Sequence, residues 1–182
     1  MDVLEKLQLP LTRTDEDPRP IAVLTCGIAG SGKSTLAKAI VSKHPEFTRL
    51  SVDVILHERH GLCGIDYPSE MYGQYLEEAS DEFDKLLRHL LDEKKDVIID
   101  RSLYAKEDRE YFRRLVEEKG ARSILVVFRP ANKEFLWERI QLRRRTAVNA
   151  DSALDITPEI LDSYWEGFEW PVGEGEFVVN IV

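Results

Sequence analysis

The run IAVLTC at residues 21–26 passes directly into GIAGSGKST at 27–35. Six mostly apolar residues of that kind read as a buried strand. Beyond it, STLAKAIVSK (34–43) places Leu36, Ala39, Ile40 and Lys43 at helical spacing, with Pro45 as a stop. The connection fits G-x-x-x-x-G-K-[ST] at every defined position, between the strand and the helix that this motif requires. Successive backbone N–H groups in such a loop point inward and form a concave anion site. Glycine lets the backbone approach a phosphate without a Cβ in the way, and the following helix adds its positive end. The pattern therefore predicts a nucleoside triphosphate held by Gly27, Ile28, Ala29, Gly30, Ser31, Gly32, Lys33, Ser34 and Thr35. Lys33 would reach the β- and γ-phosphates, and the Ser34 hydroxyl would ligate Mg²⁺.

The same alternation continues along the chain. Thr48–Val52 reads as a second strand ending at Asp53, and Val97–Ile99 as a third ending at Asp100. SILVVF (123–128) is a fully buried strand, and Phe177–Val182 a last one. Helical periodicity covers Pro68–Lys95, Lys106–Lys119 (ended by Gly120), Asn132–Arg145 and Thr157–Phe168, the last with Pro158 at its first position. Strands apolar on both faces, alternating with helices, predict a parallel sheet covered on each side, a three-layer α/β/α domain. Two stretches stand apart. Residues 1–20 are polar and turn-prone, a lead-in segment of uncertain order; Ile55–Pro68 reads as an irregular loop with Gly61 and Gly64.

The 182 residues suit one domain, residues 21–182. Lys plus Arg number 25 and Asp plus Glu 34, a net charge of −9. That balance argues against nucleic acid as partner and against a membrane surface held by a broad basic face. No apolar run approaches the roughly 20 residues that span a bilayer, the first ten residues carry no signal pattern, and Cys26 and Cys63 make no disulfide framework. A cytoplasmic protein is the expectation; its oligomeric state is open.

Strand ends face the ligand crevice of an open α/β sheet, which singles out two carboxylates. Asp100 is the expected metal carboxylate. Asp53 would accept the proton of a hydroxyl attacking the γ-phosphorus. WERIQLRRRT (137–146) gathers Arg139, Arg143, Arg144 and Arg145, and the small, polar stretch after it suits a lid over about 139–156. Arginines there would meet the charge that spreads over a transferring phosphoryl group. No N-K-x-D element occurs, which weighs against a GTP switch. His57, Glu58 and His60 lack the H-E-x-x-H spacing of a zinc helix. His57, with Tyr67, Tyr72 and Tyr75, borders an acceptor region at about 54–75, while Trp165, Phe168 and Trp170 suit core packing, with the adenine as a further possible neighbour.

Taken together, GIAGSGKST, LSVD, VIIDRS, the arginine-rich segment and DITPEILDSYWEGFEWP resemble the small P-loop kinases related to zeta toxins, polynucleotide 5′-kinases and chloramphenicol phosphotransferases, and are most similar to the AAA-domain ATP-binding proteins of that group. The resemblance runs from about Ile21 to the C-terminus. It implies a five-stranded parallel sheet in the order 2-3-1-4-5, ATP and Mg²⁺ as cofactors, and transfer to a hydroxyl of a small molecule. Asp53 matches the group's catalytic carboxylate, Arg143–Arg145 fall where its lid arginine lies, and Arg109 matches an arginine of structural or phosphate-facing role. Arg101 stands where relatives often carry a small residue, which would bring a cation to the acceptor site and favour a negatively charged substrate. Two other readings stay open: a nucleotide-dependent binding or toxin-like module with only slow ATP hydrolysis, and a polynucleotide 5′-hydroxyl kinase.

Overall fold

The computed structural model describes residues 4, 10–146, 150–152 and 154–181. Strands β1 (Ile21–Cys26), β2 (Phe47–Ser51), β3 (Asp96–Asp100), β4 (Arg122–Pro130) and β5 (Phe177–Ile181) form one sheet in the order β2-β3-β1-β4-β5. Every pairing is parallel, as the resemblance implies. β1 pairs on both sides and all six of its residues are buried, which explains its unbroken apolar character. Alternation along β1 divides the core. Ile21 and Val23 face α1 (Lys33–Lys43) through Leu36, Ala37 and Ile40. Ala22, Leu24 and Cys26 face the other layer. That layer is built by α2 (Val52–His60), α3 (Tyr72–Asp92), α4 (Lys106–Glu118), α5 (Lys133–Thr146) and α6 (Pro158–Gly167). Among the described residues no helix is long and apolar enough to cross a membrane.

Helix α2 departs from the sequence expectation. The second strand stops at Ser51, and Val52–His60 is helical where a strand end and an irregular loop were expected. SVDVI has the composition of a strand, yet Val52, Ile55 and Leu56 at i, i+3 and i+4 are the residues that become buried. Asp53 lies in the first turn, where a carboxylate is favoured, and Gly61 at φ 82° ends the helix. The region 54–75 is therefore a helix, a turn over residues 61–68, a 3-10 turn at Ser69–Met71 and the start of α3.

Over residues 10–20 the lead-in, whose order the sequence left open, packs against the sheet. Leu11 is buried, and Arg13 grips Asp96 at the start of β3, with Nη2 2.9 Å from Oδ1. The same carboxylate accepts the backbone N–H of Ile21 at 2.7 Å. This buried charge draws the segment across the amino ends of the central strands β3 and β1, which a polar, proline-rich composition does not announce. Residues 1–3 and 5–9 lie outside the described residues.

Arg109 of α4 is 1% exposed and forms a two-pronged pair with Glu174 of the segment before β5 (Nη2–Oε1 2.8 Å, Nε–Oε2 3.0 Å). Its remaining arm donates to the Leu103 carbonyl at 3.0 Å. Of the two roles that the resemblance implied for Arg109, the structural one is observed. Breaking a buried pair on one side leaves a charge uncompensated, at a cost of about 3–5 kcal/mol. Glu174→Gln should lower stability by about 2–4 kcal/mol in urea titrations at neutral pH. Arg109 holds the Glu174 carboxyl below its ordinary 4.5. The folded pKa is depressed, so this stabilisation is complete above about pH 4.5 and is lost as pH falls through the folded value. The acid-side loss should be shallower in Glu174→Gln than in the wild type.

Candidate active site

The connection leaving β1 runs to β2 on one side of the sheet, and that leaving β3 crosses to β4 on the other. Ligand crevices form outside the carboxyl ends of strands at such a reversal. A cavity of about 760 Å³ opens there, and the glycine loop forms one wall of it.

The loop has the backbone its glycines predict. Gly30 (φ 81°) and Gly32 (φ 108°) both lie in the left-handed region. A Cβ on Gly30 would come within 3.0 Å of Ile140 Cγ1 and 3.1 Å of the Leu136 carbonyl, so α5 packs on this loop closely enough to require glycine. Ile28, Ala29, Gly30, Gly32, Lys33, Ser34 and Thr35 line the cavity. Gly27 and Ser31 lie behind that wall and shape it: the Gly27 N–H donates to the Ser102 carbonyl at 2.9 Å, and Ser31 is 1% exposed. The Ser31 hydroxyl is buried without a hydrogen-bond partner among the described residues. Lys33 Nζ donates to the Ile28 carbonyl at 3.1 Å. Its depth in the cleft lowers its pKa, an effect that the charges of Asp100 and Asp53 oppose. A curled amide loop and an enclosed lysine suit a polyphosphate chain.

Asp53, from the first turn of α2, faces into the same cavity. Its side chain is open to the cavity space but deep within it. Desolvation raises its pKa, Lys33 pulls it down, and Asp100 and Asp151 push it up further. Asp100, at the end of β3, also lines the cavity but is shared. Arg49 of β2 donates from Nε to Asp100 Oδ2 at 2.8 Å and from Nη2 to Asp151 Oδ1 at 2.5 Å. Asp151, in the 3-10 turn Ala150–Ser152, is also paired with Lys38 of α1. Arg49, Lys38 and Asp151 thus tie the segment after α5 to the phosphate side of the sheet, and sequence patterning did not single them out. Arg49 sits mid-strand in FTRLS, and only strand pairing brings it beside Asp100.

Among the described residues no group of three His, Cys, Asp or Glu side chains could hold a metal ion by itself. Mg²⁺ ordinarily takes one or two carboxylates together with water and substrate phosphates. The Ser34 hydroxyl and the Asp100 carboxylate in one cavity wall are oxygen donors of that kind.

The arginines divide. Arg139 and Arg143 line the cavity from α5, whereas Arg144 points away and pairs with Asp155 at 2.5 Å. Arg143 Nε is buried without a hydrogen-bond partner among the described residues, and desolvation lowers its pKa against the pull of Asp151 and Asp53. Helical geometry explains the division: 139 and 143 are four apart on one face, and 144 is turned about 100° from it. Of the proposed lid, residues 147–149 and 153 lie outside the described residues.

On the acceptor side, Arg101 and Tyr72 line the cavity but His57 does not. One turn along α2 from Asp53, the residue that reaches the cavity is Leu56. Tyr104 and Tyr164 join Tyr72 there; neither was singled out from sequence, because β3 and α6 meet only through the fold. Tyr67 and Tyr75 pack with His60 instead, the His60 and Tyr75 rings stacking at 3.6 Å. Trp165, Phe168 and Trp170 pack against the core, as expected, and do not line this cavity.

No curated protein matches the chain by sequence. Solved structures match it in fold. A candidate kinase from Chloroflexus aurantiacus has a TM-score of 0.68 at 18% identity, over 89% of this chain and 87% of that one. A chain of the Pnkp1/Rnl/Hen1 RNA repair complex has a TM-score of 0.67 at 21% identity, over 82% of this chain and 44% of its own length. The APS kinase CysC of Mycobacterium tuberculosis, solved with AMPPNP and APS, has a TM-score of 0.59 at 18% identity, over 89% and 88%. The fold is that of P-loop kinases. The sequence itself matches one family, described as AAA domain, from residue 23 in β1 to residue 171 beyond α6, a span that takes in the glycine loop, Asp53, Asp100 and Arg143; the chain belongs to the AAA domain family.

Proposed function

We propose that this chain is an ATP- and magnesium-dependent phosphotransferase that moves the γ-phosphoryl group to a hydroxyl of a small molecule. The observation that carries this reading is the placement of Asp53. Its carboxylate stands open in the same cavity as the glycine loop, close enough to Lys33 for each to shift the other's titration.

In this mechanism the loop amides and Lys33 hold the polyphosphate, with Arg139 beside it. Asp53 orients the acceptor hydroxyl and takes its proton as the hydroxyl oxygen bonds to the γ-phosphorus. The bond from that phosphorus to the β–γ bridging oxygen breaks, and ADP leaves with the electron pair. Arg143 offsets negative charge on the transferring group. Ser34 and Asp100 would hold Mg²⁺, which would supply positive charge against the phosphates. Tyr72 and Arg101 contact the acceptor.

ADP release and ³¹P NMR over a panel of hydroxylated metabolites, nucleosides and antibiotics test the proposal. Acceptor-dependent turnover is expected. Slow hydrolysis that no acceptor accelerates would instead support a nucleotide-dependent binding or toxin-like module. A 5′-hydroxyl oligonucleotide belongs in the panel because of the likeness to the RNA repair chain, although a net charge of −9 weighs against it.

The two neighbouring arginines should separate cleanly. Arg143→Ala should lower kcat by roughly 10²–10³-fold, the usual loss for one donor to transition-state charge. Arg144→Ala, which removes only an exposed ion pair with Asp155, should stay within about twofold. Steady-state kinetics of the two variants side by side measure this.

A further inference from the structure

We infer, building on the phosphotransfer reading, that the acceptor carries an oxyanion of its own, a phosphate or carboxylate group, and that Arg101 binds it. Arg101 is the first residue after β3, and its backbone is tightly held. The Thr25 hydroxyl donates to the Arg101 carbonyl at 3.0 Å and accepts its N–H at 3.2 Å. Just beyond, the Leu103 carbonyl accepts from Cys26 Sγ and from Arg109. The guanidinium lies against two aromatic rings, 5.2 Å from the centroid of Phe83 and 5.5 Å from that of Phe112. A cation held that way is fixed in place and partly stripped of water.

It also lacks a counter-ion. Arg49 and Arg109, also well shielded, each grip a carboxylate within hydrogen-bond distance, whereas Arg143 beside the glycine loop, like Arg101, has no ion pair among the described residues. Arg101 has no ion pair among the described residues, although it feels the charges of Asp84, Asp108 and Asp53. Asp84 accepts the Tyr111 hydroxyl at 2.7 Å and Asp108 the Ala105 N–H at 3.3 Å, and neither comes within ion-pair distance of Arg101. Asp53 is the proposed base. Desolvation lowers the Arg101 pKa, as expected of a cation without a bound partner.

Position separates this cation from those that serve the nucleotide. Lys33, Arg139 and Arg143 come from the glycine loop and α5, whereas Arg101 comes from the end of β3 and packs on α3 and α4. Asp53 feels both Lys33 and Arg101. An acceptor anchored by its oxyanion on Arg101 would present a hydroxyl to Asp53, with Tyr72, Leu76 and Tyr104 in the wall around its body. The planar guanidinium fork suits two-point recognition of phosphate or carboxylate.

The test uses calorimetry on protein saturated with AMPPNP and magnesium, titrated with inorganic phosphate in one arm and acetate in the other. Saturable binding of at least one anion is expected, and the stronger arm names the anion class. Arg101→Gln should weaken it by about tenfold or more, the usual worth of a hydrogen bond to a charged group. Arg101→Lys should keep part of it, and AMPPNP affinity should stay within about twofold in both variants, which also shows that they fold. Absence of a saturable anion site in the loaded wild type would overturn the inference, as would equal anion binding by Arg101→Gln. Loss of AMPPNP affinity in Arg101→Gln with Arg101→Lys normal would overturn it too, by assigning the cation to the nucleotide. Failure of the wild type to bind AMPPNP is a different result, and defeats the phosphotransfer reading itself.

Discussion

Asp53→Asn should abolish phosphoryl transfer while leaving ATP affinity within a few fold. The substitution keeps the shape of the side chain in the first turn of α2 and removes its ability to take a proton. Positioned general bases contribute about 10²–10⁴-fold, so kcat should fall by that range. Binding should hold, because the glycine loop and Lys33 carry the polyphosphate and the asparagine keeps the side chain's place in the cavity. The pH profile gives a second, independent readout. A base must be ionised to act, and the Asp53 pKa is raised by desolvation and by Asp100 and Asp151. In the wild type kcat/KM should therefore fall on the acid side at a higher pH than an ordinary carboxylate would dictate. That limb should vanish in Asp53→Asn. Steady-state kinetics from pH 5 to 8, with calorimetric ATP binding, decide the matter; unchanged turnover would remove Asp53 from the chemistry.

Lys33→Ala should instead damage binding and turnover together. Lys33 is the cation embedded in the loop, where its ammonium is held by the Ile28 carbonyl and by the fields of Asp100 and Asp53. Without it, the polyphosphate would meet two carboxylates with less compensation. A loss of about 10²–10³-fold in kcat/KM is expected, comparable with deleting one preorganised donor. ATP affinity should drop measurably in the same variant. The contrast is the diagnostic: Asp53→Asn separates affinity from rate, and Lys33→Ala does not. A Lys33→Ala protein with normal nucleotide affinity would show that the loop amides alone hold the phosphates.

The residues most legible in the sequence are those whose role is local. A glycine that must adopt φ 81° against Leu136, or a lysine one residue past Gly32, is set by backbone geometry over a few positions. Such requirements leave a motif. The buried strands are legible for the same reason, since β1 and β4 need apolar residues on both faces. Asp53 and Asp100 were readable because strand ends face the crevice, even though the element carrying Asp53 proved to be a helix.

What the chain alone determined, then, is the phosphate loop, the layered α/β order and the two carboxylates beside it, because short-range backbone and burial rules impose them. Only the tertiary structure decided the rest. It showed that Arg143 and not Arg144 faces the cavity, that Leu56 takes the place expected of His57, and that Arg49 bridges Asp100 and Asp151. It also placed Arg101 against Phe83 and Phe112 without a carboxylate partner among the described residues. These facts depend on which side chains meet between different elements of the fold. Helix rotation and strand pairing settle those meetings, and no local pattern records them.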